Sequence, residues 1–262
     1  MNIKFKRLDE KIPLIESAAK EIAECVLKNE NEEFFQVFAN TLLDCHKYIP
    51  NTFVNDKIVK KIDQYKVLYS QISDELEHLK NLLWNYFSYI DDFEFNTLLY
   101  WNSNHYEDID SEQKKLNKLR GVLFEILTES IISSRYKCEN FETGCLVIIN
   151  GEKVISYYND KQRKTIDIAS SQEGKGEFYE CKLSPHSLNA ESYKYLDLLE
   201  SKLNEITELD SLVGCITLGD RLSLENAKLQ IEEELGINNT NIMLYGYQEI
   251  LLLKESPFRE AV

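Results

Sequence analysis

The spacing of apolar residues changes along this chain, and that change limits the fold more than any other feature. Up to about residue 136 they recur at helical intervals; from Gly144 onward short strand-like runs alternate with helical segments. Such an order calls for an all-helical N-terminal region followed by a mixed sheet with helices on its faces, an α/β (α+β) architecture. In the first part, Ile12, Ile15, Ala19, Ile22 and Val26 mark one helix within residues 8–27, and Phe34, Phe35, Phe38 and Leu42 a second. Ile49-Pro50-Asn51 reads as its stop. Residues 57–90 read as a long helix, with room for a break near 70–74. We therefore expect a helical domain over 1–105, a polar linker over 102–110, and a second domain over 111–262.

The second domain opens on residues 116–136, whose Leu116, Leu119, Leu123, Ile126 and Leu127 predict an amphipathic helix. Residues 145–149 form an apolar run, Asn150-Gly151 is a strong hairpin signal, and residues 153–158 read as the return strand. Residues 159–164 are polar and basic. Two further strands follow, one carrying Ile166-Asp167-Ile168 and the other Glu177 to Leu183, with hairpin composition over 170–176. A helix over 187–206, a buried strand over 212–218, a helix over 222–235 closed by Gly236, and a last strand over 241–247 complete the chain.

Charged residues interrupt these apolar strands. Asp167 and Glu180 lie on neighbouring strands, and Lys182, two residues after Glu180, projects from the same face. Carboxylates on an apolar strand pair are costly to bury unless they pair or bind a metal. On the preceding helix Glu125 breaks the apolar stripe, and Glu129 lies one turn later on nearly the same side. Each residue alone has a plainer reading: a surface ion pair for Glu180 and Lys182, a strand-end turn residue for Asp167, a solvent-facing helix charge for Glu125.

Taken in order, Gly121-Val122-Leu123-Phe124-Glu125, Ile166-Asp167 and Glu180-Cys181-Lys182 resemble the PD-(D/E)XK nuclease superfamily, over roughly residues 115–250. The resemblance implies a restriction-endonuclease-like α-β-β-β-α-β core and a divalent-metal-dependent endonuclease acting on DNA. Ile166 stands where many members carry a proline. The resemblance also implies the roles: Asp167, Glu180 and the Cys181 backbone carbonyl as ligands of Mg²⁺ or Mn²⁺, Glu125 holding a second ion or a water on the first, and Lys182 orienting or activating the attacking water. It further implies a setting in bacterial defence against phage or foreign DNA, and a homodimer that cuts both strands.

The net charge of −15 argues against a general nucleic-acid coat protein. Residues 111–186 are near neutral, however, with 12 basic and 11 acidic side chains, while the remainder holds 18 basic and 34 acidic ones. Lys114, Lys115, Lys118 and Arg120 precede Glu125, and Lys161, Arg163 and Lys164 precede Asp167; either group could touch phosphates or be a solvated face. His186, Tyr193 and Lys194 are weaker candidates for phosphate contact. The acidic helical part suits a protein partner, and its aromatic stretch from Trp84 through Tyr86, Phe87, Tyr89, Phe93, Phe95 and Tyr100 to Trp101 reads first as packing and second as a stacking or partner surface. His46, His78 and His105 stand alone.

The six cysteines show no C-x-x-C and read as buried free thiols in a reducing cytoplasm. No apolar run is long enough for a membrane span, and residues 1–13 lack the apolar core of a signal peptide. Two alternatives remain: a catalytically silent nuclease-fold protein serving as an interaction subunit, or a nuclease for RNA or branched DNA.

Overall fold

The computed structural model describes residues 3–8, 12–29, 31–45, 54–91, 111–237 and 240–258. The expected stop at Ile49-Pro50-Asn51, the linker over 102–110, His46, His105, Phe93, Phe95, Tyr100 and Trp101 lie outside them. The chain divides into two compact units: Lys11–Ser130, and Met1–Glu10 together with Ile131–Val262.

The first unit is helical. Its helices are Pro13–Lys28, Glu32–Asp44, Val54–Leu68, Ser73–Phe87 and most of Ser111–Ser133. Asn31 caps the second by accepting from the backbone N–H groups of Glu33 and Phe34. The long helix expected over 57–90 is indeed interrupted: Tyr69 leaves helical geometry, and a 3₁₀ turn spans Ser70–Ile72. Lys66 and Lys80 bridge the two halves by pairing with Glu77 and Asp63. Arg120, which the sequence offers as a phosphate contact or as part of a solvated face, is 5% exposed; its guanidinium donates to the carbonyls of Leu42 and Leu43 at the end of the Glu32–Asp44 helix. Those carbonyls lack intrahelical donors, which a buried arginine can supply. Tyr86 donates to the Leu119 carbonyl. These bonds tie the Ser111–Ser133 helix to the preceding helices, so the boundary falls at Ser130 rather than at the expected linker.

The second unit is a mixed sheet. Its strands are β1 (Ile3–Arg7), β2 (Phe141–Ile149), β3 (Glu152–Lys153), β6 (Ile166–Gln172), β7 (Lys175–Lys182), β8 (Asp210–Thr217) and β9 (Met243–Tyr245), with β4 (Ser156–Tyr158) and β5 (Lys161–Arg163) forming a separate hairpin. The sheet order is β1-β2-β6-β7-β8-β9, with β3 beside β2. Pairings from β1 to β7 are antiparallel, and β7-β8 and β8-β9 are parallel. The Ala190–Asn204 and Arg221–Leu235 helices make the two parallel connections. Their apolar residues pack with Phe178, Val213 and Cys215 in one core.

Three features differ from expectation. Residues 3–7 are a strand on β2, not part of an all-helical region. The return strand over 153–158 is split: only β3 follows the Asn150-Gly151 turn, and β4 turns away to pair with β5, formed from residues that read as loop. The hairpin between β6 and β7 is tighter than its composition suggests, because Ser170, Ser171 and Gln172 remain paired and only Glu173 and Gly174 turn. At all three hairpins both turn residues have positive φ: Asn150 and Gly151, Asn159 and Asp160, Glu173 and Gly174. That geometry matches the right-handed twist of the flanking strands. Among the described residues no helix is long and apolar enough to cross a membrane.

Candidate functional site

The β6-β7 register places Asp167 beside Glu180. Ile168 pairs with Tyr179 and Ala169 with Phe178, so the next positions along each strand, Asp167 and Glu180, face each other. Asp167 Oδ2 accepts the Cys181 N–H at 2.7 Å, which fixes its carboxylate against β7. Lys182 shares a face with Glu180, and its Nζ lies 2.5 Å from Glu180 Oε1. Asp167, Glu180 and Lys182 therefore converge as their strand positions predicted.

A fourth member was not assigned to this cluster from sequence. Arg163, at the end of β5, places Nη2 2.5 Å from the same Glu180 Oε1. The sequence groups it with Lys161 and Lys164 as either a phosphate contact or a solvated face; those two lysines are exposed, whereas Arg163 is largely buried. Its position follows from the β4-β5 hairpin, which packs on the Ala190–Asn204 helix rather than extending the main sheet.

Glu180 is 1% exposed, and both cations lie on one of its oxygens. The other, Oε2, is buried with no hydrogen-bond partner among the described residues. The same holds for Arg163 Nε, for Ser156 Oγ across the β4-β5 pair, and for the Tyr195 hydroxyl, whose ionisation feels both Arg163 and Glu180. Buried polar atoms are nearly always satisfied by protein, water or a ligand. A group of them around one carboxylate is thus a site with unmet polar capacity.

The electrostatics keep both bases charged. Burial pulls the Lys182 amine down, but Glu180 and Asp167 outweigh it and leave its pKa above the ordinary value. Burial likewise opposes the Arg163 charge, and the same two carboxylates again prevail. Lys182 is therefore an ammonium, suited to orienting a water and stabilising developing negative charge rather than to removing a proton. Burial, together with Glu180, raises the Cys215 thiol, so this cysteine on β8 opposite Glu180 is a neutral packing group.

The donor set suits a hydrated divalent ion. Mg²⁺ takes oxygen ligands, keeps several waters and is commonly held by one or two carboxylates. Asp167 and the unpartnered Glu180 oxygen supply that minimum. No group of three or more His, Cys, Asp or Glu side chains that could hold a metal occurs among the described residues, so an ion here would depend on waters, substrate oxygens or the Cys181 carbonyl. Glu125 belongs to the helical unit, where it and Glu129 are half-buried on the Ser111–Ser133 helix.

The weaker sequence candidates divide. Tyr193 is fully buried and donates to Glu232 at 2.5 Å, within a network that includes Thr240, so its hydroxyl is committed to packing two helices. Lys194 Nζ sits 5.9 Å from the centre of the Tyr158 ring. His186 is exposed in the turn after β7. A cavity of about 360 Å³ lies between the β2-β3 hairpin and the Ala190–Asn204 helix and contains none of the site residues.

No protein-family model matches the chain, and no curated protein matches it. Among solved structures it is similar to the crystal structure of protein VC1899 from Vibrio cholerae, with a TM-score of 0.41 and 14% identity. That match covers 96% of this chain and 57% of the other.

Proposed function

We propose that the sheet unit is a divalent-metal-dependent endonuclease that hydrolyses phosphodiester bonds of DNA. The observation that carries this reading is the meeting of Asp167, Glu180 and Lys182 across β6 and β7, with a buried Glu180 oxygen left unpartnered. The order of elements supports it: a helix, the antiparallel strands β2, β6 and β7, a helix, and β8 parallel to β7 is the order the family resemblance implies.

A bound Mg²⁺ or Mn²⁺ would neutralise charge on the phosphate and on the leaving oxygen. Asp167 and Glu180 would hold it, with the Cys181 carbonyl beside them. The Cys181 N–H fixes the Asp167 carboxylate, so that ligand is oriented before the ion arrives. Lys182 would hold the attacking water by hydrogen bond and offset negative charge as it develops. A homodimer would bring two such sites to the two strands of a duplex. Defence against foreign DNA is the setting the family resemblance implies, and the acidic helical unit would serve a partner subunit.

The test is cleavage of plasmid DNA by the purified protein with Mg²⁺ or Mn²⁺. Cleavage should vanish with chelator and in Glu180→Ala and Lys182→Ala; unchanged cleavage in both variants would remove the assignment. One observation favours a second reading. Arg163 and Lys182 together balance Asp167 and Glu180, so the cluster is electrically complete without an ion. A catalytically silent interaction subunit would look the same, and failure of Mn²⁺ to bind with nucleic acid present would select it. Cleavage of RNA or branched DNA in preference to duplex DNA would revise the substrate only.

A further inference from the structure

The placement of Arg163 has a consequence for that nuclease reading, on which this inference rests. A carboxylate that is to hold a divalent ion already carries a guanidinium and an ammonium on one oxygen. The four charged groups sum to zero. Adding two positive charges to so dry a place is unfavourable unless a cation leaves or an anion enters, because like charges a few ångströms apart repel strongly at low dielectric.

Of the two cations, Arg163 is the one placed to leave. Lys182 ends β7, a strand paired with β6 over residues 175–179 and with β8 along its whole length, and its own position is paired with Thr217 of β8. Arg163 is the last residue of a three-residue strand whose one strand partner among the described residues is β4, and the two form a sheet of their own. Its Nε and the Ser156 hydroxyl opposite it are both buried without partners among the described residues, so this position does not satisfy the hairpin's own polar groups there. A guanidinium there would form better bonds with a phosphate, which it can meet through two N–H groups.

We infer that Arg163 is a gate on the metal site: it occupies Glu180 until a nucleic-acid phosphate draws it away, and metal binding is weak before that exchange. Ion and substrate then bind cooperatively, because each favours the arrangement in which Arg163 has left Glu180.

Calorimetric titration of the full chain with MnCl₂, without nucleic acid, tests this directly. Arg163→Gln should bind Mn²⁺ about tenfold or more tightly than the wild type, since one of the two competing charges is gone. Lys161→Gln removes an equal charge from the same hairpin but not from Glu180, and should leave the affinity unchanged. Adding a short DNA duplex should strengthen Mn²⁺ binding to the wild type and do so much less for Arg163→Gln. Thermal melts establish that the variants are folded; should Arg163→Gln not fold, Arg163→Met, which also removes the charge, carries the test, with an affinity above that of the wild type. Equal or weaker Mn²⁺ binding by the folded variant overturns the gate and leaves the nuclease reading standing. No Mn²⁺ binding by wild type or variant, even with duplex present, overturns both.

Discussion

Two buried glutamates three residues apart on β7 behave in opposite ways. Glu177 is saturated. Arg135 spans both of its oxygens at 2.7 and 2.8 Å, Tyr136 donates to one, and Tyr179 donates to the other at 2.7 Å. Glu180, on the opposite face, has two cations on one oxygen and none on the other. Both are essentially inaccessible, at 0% and 1% exposure. The difference is thus one of completeness, not of burial. A fully paired carboxylate is a strut, while a half-paired one among other unpartnered atoms has capacity for a ligand.

That contrast can be broken most sharply at Glu180. Glu180→Ala should lower metal-dependent DNA cleavage by about a thousandfold or more, because the ion's stabilisation of the transition state is worth several kcal/mol at about 1.4 kcal/mol per decade. Glu180→Ala also strands Arg163 and Lys182, so it should lose stability as well; the protein that a far-ultraviolet circular dichroism melt shows to be folded should nevertheless not cleave. Glu177→Ala should differ in activity. It strands a buried Arg135, so urea unfolding should report a loss of about 3–5 kcal/mol, while whatever remains folded should still cleave. A Glu177 variant that folds normally but is inactive would erase the distinction.

Lys182→Ala tests the ammonium role and should reduce cleavage by about 10²–10³-fold, the scale for losing one preorganised donor to a developing charge. The smallest effect concerns pH. Because the Lys182 pKa lies above its ordinary 10.5 when folded, its contribution to stability is complete below that value and is lost as pH rises through the folded pKa. The stability gap between wild type and Lys182→Met, measured by denaturant titration, should therefore be constant through neutral pH and narrow at strongly alkaline pH. A gap that widened there would mean that the amine is not held by the carboxylates.

Local signals made much of the architecture legible. Asn150-Gly151 marked its hairpin because both residues tolerate positive φ, and Gly236 marked a helix end for the same reason. Asp167, Glu180 and Lys182 were found because strand periodicity fixes which side chains share a face. Other elements were hidden. β1 pairs with β2 across more than a hundred residues of chain, and a short basic segment carries no local sign of that partner. The Ser111–Ser133 helix read as part of the sheet domain, but Arg120 and Leu119 bond to groups on preceding helices that no spacing rule reveals.

From its sequence alone this chain determined the run of helices followed by mixed α/β elements, the turn positions, and the side chains that one strand presents together, since these depend on near neighbours and on backbone geometry. Only the tertiary structure decided that Arg163 would lie on Glu180, that Glu177 would be fully paired and Glu180 half-paired, and where the two units divide. Those outcomes depend on which distant groups meet in a dry interior, where the cost of an unpaired charge selects the partners.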